Sequence, residues 1–243
     1  MKSKSYKICL FILFTINTFA QENFEIYQIK DSKKNIEKIE NKFKKNKVLF
    51  NDKNYLTIST CSGEWGGTIK FRDKSTQKIY SAESTCPVSV DKLNDEFYIT
   101  NSLAHLSGST EILKIKNPTE MEIYEVSKPR KEKGRYMKYV GDDESHSKKG
   151  TEQLLDSIGA FTLATFQNQN RFYYIVTDFE KTYLSKIENK KFITISELPI
   201  TDVWSYDPKI IKISNNHIIL LFNDEKVKGY LEAENNKLKI ITE

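Results

Sequence analysis

Two segments of the chain combine chemically diverse side chains with glycine, a composition that suits ligand binding. They are Cys61–Gly67 (CSGEWGG) and Ser102–Ser109 (SLAHLSGS), and together they hold four of the nine glycines. Glycine permits backbone turns at positive φ and the close approach of a neighbouring group. An indole offers an apolar platform, while carboxylate, imidazole, amide and hydroxyl groups supply polar contacts. The residues that we expect to line one pocket, for a small molecule, a glycan or a peptide, are Glu64, Trp65, Asn101, His105 and Ser107.

A structural interpretation of the same residues stays open. Trp65 lies four residues from Cys61, and a tryptophan beside a disulfide is common packing in small β-domains. The glycines then only turn the chain, and His105 is a surface or inter-sheet residue. The second tryptophan, Trp204, is interpreted in the same way, as core packing between structural units.

The motifs that would identify a common enzyme class are absent from the sequence. There is no G-x-S-x-G, H-E-x-x-H, G-x-G-x-x-G or phosphate-loop pattern. The three histidines have no metal-site spacing, and the acidic run Asp142–His146 matches neither an EF-hand nor a zinc signature. We therefore predict no cofactor and no metal site. A hydrolase acting on glycans stays open as an alternative, with Glu64 as its acid, because two catalytic carboxylates can be distant in sequence.

The cysteines and the N-terminus both indicate export. Residues 1–20 contain three lysines, a short apolar run and a small-residue ending, which is the layout of a cleaved signal peptide. Cleavage after Ala20 leaves Cys61 and Cys86, which we expect to form a disulfide outside the cytoplasm. In the loop-entropy model, closing a loop of this size stabilises the fold by about 3 kcal/mol.

Charge and hydropathy exclude two further classes of protein. Without the signal peptide, 35 basic residues face 33 acidic ones, a net charge of about +2. The lysines alternate with acids instead of forming a basic patch, so we expect no nucleic-acid partner. The apolar run of the signal is far shorter than the roughly 20 residues of a membrane span, so we expect a soluble, periplasmic or secreted protein.

The mature chain has the period-two pattern of an all-β protein. Short runs rich in Ile, Tyr, Phe, Val and Thr alternate with polar turns every eight to twelve residues or so. A shift of 46 residues lays 172–195 without gaps on 218–241, with five identities and matching Glu-Asn turns. We therefore expect one all-β domain over 21–243, built from four antiparallel four-stranded units at roughly 47–82, 87–126, 160–196 and 209–242.

Four-stranded units that repeat at 40 to 50 residues resemble the blades of a β-propeller. The resemblance is to an architecture, and it implies about four or five blades; a two-sheet sandwich or an open meander stays open. Residues 25–39 are expected to form an outer hairpin of a further blade, with a short amphipathic helix as the alternative. The segment at about 127–150 is expected to be a mobile surface insertion.

Fold-level resemblance does not supply a function. Loop elaboration without catalytic motifs favours a non-enzymatic protein that binds a ligand or a protein partner through residues 61–67 and 102–109.

Overall fold

The computed structural model describes residues 23–43, 48–223 and 227–243. The expected signal peptide, residues 1–20, lies outside the described residues. Within them, strands dominate and form four main sheets and one separate hairpin. The predicted all-β class is confirmed. No sheet closes on itself in the described part of the chain, so the observed architecture is a set of open sheets.

The first two sheets are formed by the N-terminal half of the chain. The first has the strand order β2-β3-β4-β5-β9, and the second has the order β12-β8-β7-β6. A one-turn 3₁₀ helix follows β3 at Gly63–Trp65, and another lies at Pro118–Glu120. The strands of the first sheet are β2 (Val48–Asn51), β3 (Tyr55–Cys61), β4 (Gly67–Asp73), β5 (Ile79–Glu83) and β9 (Glu122–Ile123). Those of the second are β6 (Pro87–Leu93), β7 (Glu96–Leu103), β8 (Ser109–Ile115) and β12 (Glu152–Ile158).

The other two sheets are formed by the C-terminal half and the N-terminal strand. The third is a meander in the order β13-β14-β15-β16, and the fourth has the order β1-β20-β19-β18-β17. The strands of the third sheet are β13 (Phe161–Asn168), β14 (Arg171–Thr177), β15 (Lys181–Glu188) and β16 (Lys191–Thr201). Those of the fourth are β17 (Lys209–Ser214), β18 (His217–Asn223), β19 (Lys228–Glu234), β20 (Lys237–Thr242) and β1 (Glu25–Lys30).

Alternation along the strands produces two large apolar cores. Ile69 and Phe71 on β4 face Phe97 and Ile99 on β7, so that one core joins the first and second sheets. A second core joins the third and fourth sheets and contains side chains of β13, β14 and β18 to β20. Between the second and third sheets lies a smaller cluster of four buried apolar side chains.

Short hairpins fix the register of several strand pairs. Asn94-Asp95, Gln169-Asn170 and Asn189-Lys190 each place two successive residues at positive φ, as a type I′ turn requires. The repeat predicted from the 46-residue shift is reflected in these turns, because Asn189 and its counterpart Asn235 have φ of 50° and 54°.

The N-terminal segment differs from the expected hairpin. Residues 25–30 form the single strand β1, which pairs in parallel with β20, and α1 (Lys33–Glu40) follows it. The predicted hairpin is therefore wrong, and the alternative prediction of a helix is confirmed for residues 33–40. The buried Ile36 anchors this helix to the protein.

The second unit also differs from the prediction in its fourth strand. The run 121–126 was expected to end that unit, but only Glu122–Ile123 is a strand, and it pairs with β5 of the first sheet. The fourth strand of the second sheet is β12, which follows the insertion and pairs with β8. The insertion itself contains the hairpin β10 (Arg130–Glu132) and β11 (Arg135–Met137).

Candidate ligand-binding surface

The first predicted loop begins at the expected disulfide. Cys61 and Cys86 are bonded, with their Cα atoms 4.4 Å apart, so the bridge ties β3 to the chain just before β6. Gly67 is required here by space, because a Cβ at this position would lie 2.6 Å from the carbonyl oxygen of Ser84 and 2.7 Å from that of Thr60. The disulfide thus holds the Cys61–Gly67 loop against the second sheet.

The structure brings the two predicted loops together. The carboxylate of Glu64 lies 3.8 Å from Nδ1 of His105, and both side chains are about half exposed. Trp65 and Ser107 are also exposed. Four of the five predicted residues therefore lie on the surface of adjacent loops.

Asn101 occupies a different environment, because it is buried in β7. Its Oδ1 accepts a hydrogen bond of 2.5 Å from the Ser84 hydroxyl, and its Nδ2 donates one of 2.9 Å to Glu111. The other oxygen of Glu111 accepts from Gln153 at 2.8 Å. Asn101 therefore connects strands beneath the surface.

The insertion is anchored beside the same loops through Glu144. Hydroxyl groups of Ser62 and Thr68 each donate to its carboxylate at 2.6 Å, and Thr60 donates as well. Partial burial opposes ionisation, but the three hydroxyl hydrogen bonds and the charge of Lys70 hold the pKa of Glu144 below its usual range. The carboxylate therefore stays ionised at neutral pH and fixes this part of the insertion. The mobility of the remaining insertion stays a prediction.

Aromatic side chains extend this surface to the third sheet. Gly108, at φ +74°, lies against the rings of Phe161 and Phe179. The Phe179 ring lies 6.0 Å from that of Trp204, which lies 5.2 Å from Tyr206. We define the loop face as the surface formed by the exposed side chains of residues 62–66, 104–108, 178–180 and 202–208.

A cavity of about 420 Å³ opens beside Trp204. Its walls combine apolar side chains with hydroxyl and carboxylate groups, and its volume falls in the range of small-molecule sites. The residues that define it are Leu163, Val203, Trp204, Tyr206, Leu220 and Val227. Trp204 was expected to be core packing between units. It instead keeps more than a third of its surface exposed, and the sequence offers no signal of this beyond the aromatic pair with Tyr206.

Two bulky residues of the loop face have left-handed backbone conformations. Leu106 has φ +54° and Phe179 has φ +77°, although such residues rarely adopt positive φ. Phe179 is explained by its packing against Phe161 at 4.9 Å. Leu106 is almost fully exposed, so its strain has no packing explanation among the described residues and is a feature that often marks functional loops.

A metal-ligand cluster and a membrane-spanning helix are both absent from the described part of the chain. No group of three or more metal-ligating side chains is present in residues 23–43, 48–223 and 227–243. Across those same ranges, the helices are too short or too polar to cross a bilayer. Comparison of the chain with protein-family models, curated proteins and solved structures finds no match.

Proposed function

We propose that this is an exported, non-enzymatic β-repeat protein that binds a ligand or a protein partner with its loop face. The observation that carries the proposal is the exposure of large apolar side chains there. Trp65 is 59% exposed, Leu106 87%, Trp204 38% and Tyr206 69%. Clustered exposed aromatic and aliphatic groups typically mark an interaction surface, and tryptophan and tyrosine are frequent binding hot spots.

The cavity beside Trp204 is a concave part of the proposed surface. A ligand there would contact the exposed rings of Trp204 and Tyr206. Glu64, Trp65, His105 and Ser107 extend the surface on the other side of Gly108. The predicted loops and the Trp204 region thus form one binding surface.

We further propose that the four sheets act as blades of a propeller-like scaffold. A cavity of about 190 Å³ is lined by the first strand of each of the four predicted units, through Val48, Val90, Thr165 and Ile210. Convergence of first strands on one central space supports a radial arrangement. Export is supported by the signal-like residues 1–20 and by the disulfide.

The loop face can be tested with its own tryptophans, because Trp65 and Trp204 are the only two in the chain. The purified, oxidised protein is screened by thermal shift against monosaccharides, glycan fragments and peptides, since a ligand of the native state raises its stability. Hits are titrated by fluorescence in Trp65→Phe, which leaves Trp204 as the reporter. We expect at least one class of ligand to raise the melting temperature and also to change the fluorescence of Trp204.

The site is then tested with matched substitutions of exposed aliphatic residues. Leu106→Ser lies on the loop face, whereas Ile213→Ser lies on β17 outside it, and both residues are exposed. We expect Leu106→Ser and Trp204→Ala to weaken binding about tenfold or more, and Ile213→Ser to leave it unchanged. Equal effects of all three variants, or silence across the panel, would reject ligand binding at this surface.

A further inference from the structure

The insertion carries a β-hairpin that stands apart from the four main sheets. In the described part of the chain, β10 and β11 pair only with each other, and every residue from 128 to 140 is exposed. Lys133 and Gly134 connect the two strands at φ +46° and +80°, the two positive values of a type I′ turn. We call residues 128–140 the hairpin segment, and it presents side chains to solvent on both of its faces.

The base of the hairpin segment is fixed to the protein by the acidic residues that follow it. Arg130 donates a hydrogen bond of 2.8 Å to Asp142, and Lys138 pairs with Asp143 at 2.6 Å. The next residue, Glu144, is held by the three hydroxyl groups described above. An isolated two-stranded hairpin is only marginally stable in water, so these contacts stabilise the position of this one.

The hairpin segment concentrates positive charge, although the chain as a whole is nearly balanced. It contains six cationic residues and one carboxylate, Glu132. Asp142 and Asp143 neutralise two of the cations at the base. The other four, which form no ion pair with any of the described residues, are Lys128, Lys131, Lys133 and Arg135. The exposed carboxylates of Glu122 and Glu125 precede the segment, but around the turn, over 131–135, three cations face one carboxylate, a net charge of +2.

Exposed rings and aliphatic chains lie beside these charges. Tyr136 is 74% exposed and Val140 67%, and Met137 and Tyr139 are exposed as well. Lys131 lies opposite Tyr136 in the strand pair, with its Nζ atom 5.9 Å from the centre of the ring. Tyrosine rings and cationic side chains are typical of the membrane–water interface, where the rings lie at the level of the head groups and the cations meet anionic lipid. A soluble polyanion would satisfy the charges but leave Met137 and Val140 in water.

We propose that the hairpin segment docks on an anionic lipid bilayer. Lys131, Lys133 and Arg135 contact the lipid phosphates, while Tyr136 and Val140 enter the head-group region. The attachment is peripheral and reversible, because the attraction of a few cations to an anionic surface is modest. The proposal concerns a surface outside the loop face and does not depend on the function proposed above.

The test is co-sedimentation of the purified protein with vesicles of phosphatidylcholine that contain about 30% phosphatidylglycerol. The double variant Lys131→Glu/Lys133→Glu is compared with Lys190→Glu/Lys191→Glu, which makes the same charge change at two exposed lysines where β16 begins. We expect the first to weaken binding about tenfold or more, because two contacts with anionic lipid are reversed in sign. The second should change binding by less than about twofold, because charges beyond a Debye length of the bilayer are screened.

Further variants separate the proposed contacts from general electrostatic attraction. Tyr136→Ala keeps every charge and should still weaken binding several-fold, while Ile213→Ser, at an exposed aliphatic residue of β17, should leave it unchanged. Glu132→Gln removes the one carboxylate of the hairpin segment and should strengthen binding about threefold or more. All of these variants replace exposed residues, and thermal unfolding of each checks that it is folded.

The proposal is overturned if the two double lysine variants behave alike, if vesicles of pure phosphatidylcholine bind equally well, or if Glu132→Gln weakens binding. It is also overturned if the protein binds dextran sulfate or duplex DNA but not the vesicles, since the hairpin segment would then recognise a soluble polyanion.

Discussion

The contacts within each half of the molecule differ chemically from the contacts between the halves. The first two sheets share an apolar core, and so do the last two. The second and third sheets share a smaller cluster of four buried apolar side chains and also meet through hydroxyl groups: the hydroxyl oxygens of Thr100 and Thr165 are 3.0 Å apart, and those of Thr110 and Thr162 are 3.2 Å apart. We call this contact between the second and third sheets the seam.

The strand β13 shows how one sequence serves both environments. Phe161, Leu163 and Phe166 belong to the core shared with the fourth sheet, while Thr162 and Thr165 face the second sheet. Apolar burial is strong and non-directional, whereas hydrogen bonds are weaker and fix relative position. The comparison indicates that the apolar cores provide most of the stability, while the hydrogen bonds of the seam fix the position of the two halves relative to each other.

An ion pair near the seam strengthens the connection between the halves. Asp91 on β6 is 1% exposed, and its carboxylate accepts from Lys212 on β17 at 2.5 Å and from the Ser89 hydroxyl at 3.0 Å. The fourth sheet therefore contacts the second directly. The cavity lined by Val48, Val90, Thr165 and Ile210 also lies where the halves meet.

The largest effect is expected from the core of the first half. Phe71 is fully buried, and its ring lies 5.0 Å from that of Phe97. Phe71→Ala should lower the free energy of unfolding by about 3–5 kcal/mol, because it removes buried surface and leaves a cavity. Urea unfolding measures this, with Tyr136→Ala on the exposed β11 as a control that should stay within about 0.5 kcal/mol. A loss below about 1 kcal/mol at Phe71 would contradict the assignment of stability to the cores.

An intermediate effect is expected from the ion pair. Lys212→Met leaves the buried Asp91 carboxylate with only the Ser89 hydroxyl, and it should cost about 2–3 kcal/mol. Lys209→Met makes the same change on the same strand, where the lysine is half exposed and lies 3.8 Å from Glu40. That control should cost less than about 0.5 kcal/mol. Equal losses in the two variants would show that Asp91 does not depend on Lys212.

Features that depend on local sequence patterns were predicted correctly. Alternation placed the strands of the third sheet, and the aligned Glu-Asn turns at 189 and 235 reflect a repeat that the backbone shares. The disulfide followed from the count of two cysteines in a chain that we expect to be exported. The strands and turns depend on residues close in sequence. The disulfide had a single possible pairing, because only two cysteines follow residue 20.

Pairings between strands that are far apart in the sequence were not predicted. The pairing of β1 with β20 joins residues 25–30 to 237–242, and β12 reaches β8 across the insertion. Both pairings depend on the shape of the assembled sheets, which no local period encodes. The burial of Asn101 and the exposure of Trp204 were missed for the same reason, because both depend on which neighbouring sheet covers each residue.

The smallest effect is expected from the hydroxyl pair in the seam, and it tests the comparison most sharply. Thr100→Val or Thr165→Val keeps the β-branched shape but leaves the partner hydroxyl buried without a hydrogen bond, which should cost about 1 kcal/mol. The double variant removes both hydroxyls, so its loss should be clearly smaller than the sum of the single losses. Urea unfolding of the four proteins in this cycle gives the coupling directly. Additive losses would mean that the two hydroxyls act independently, and the seam would then depend on its apolar cluster and not on this hydrogen bond.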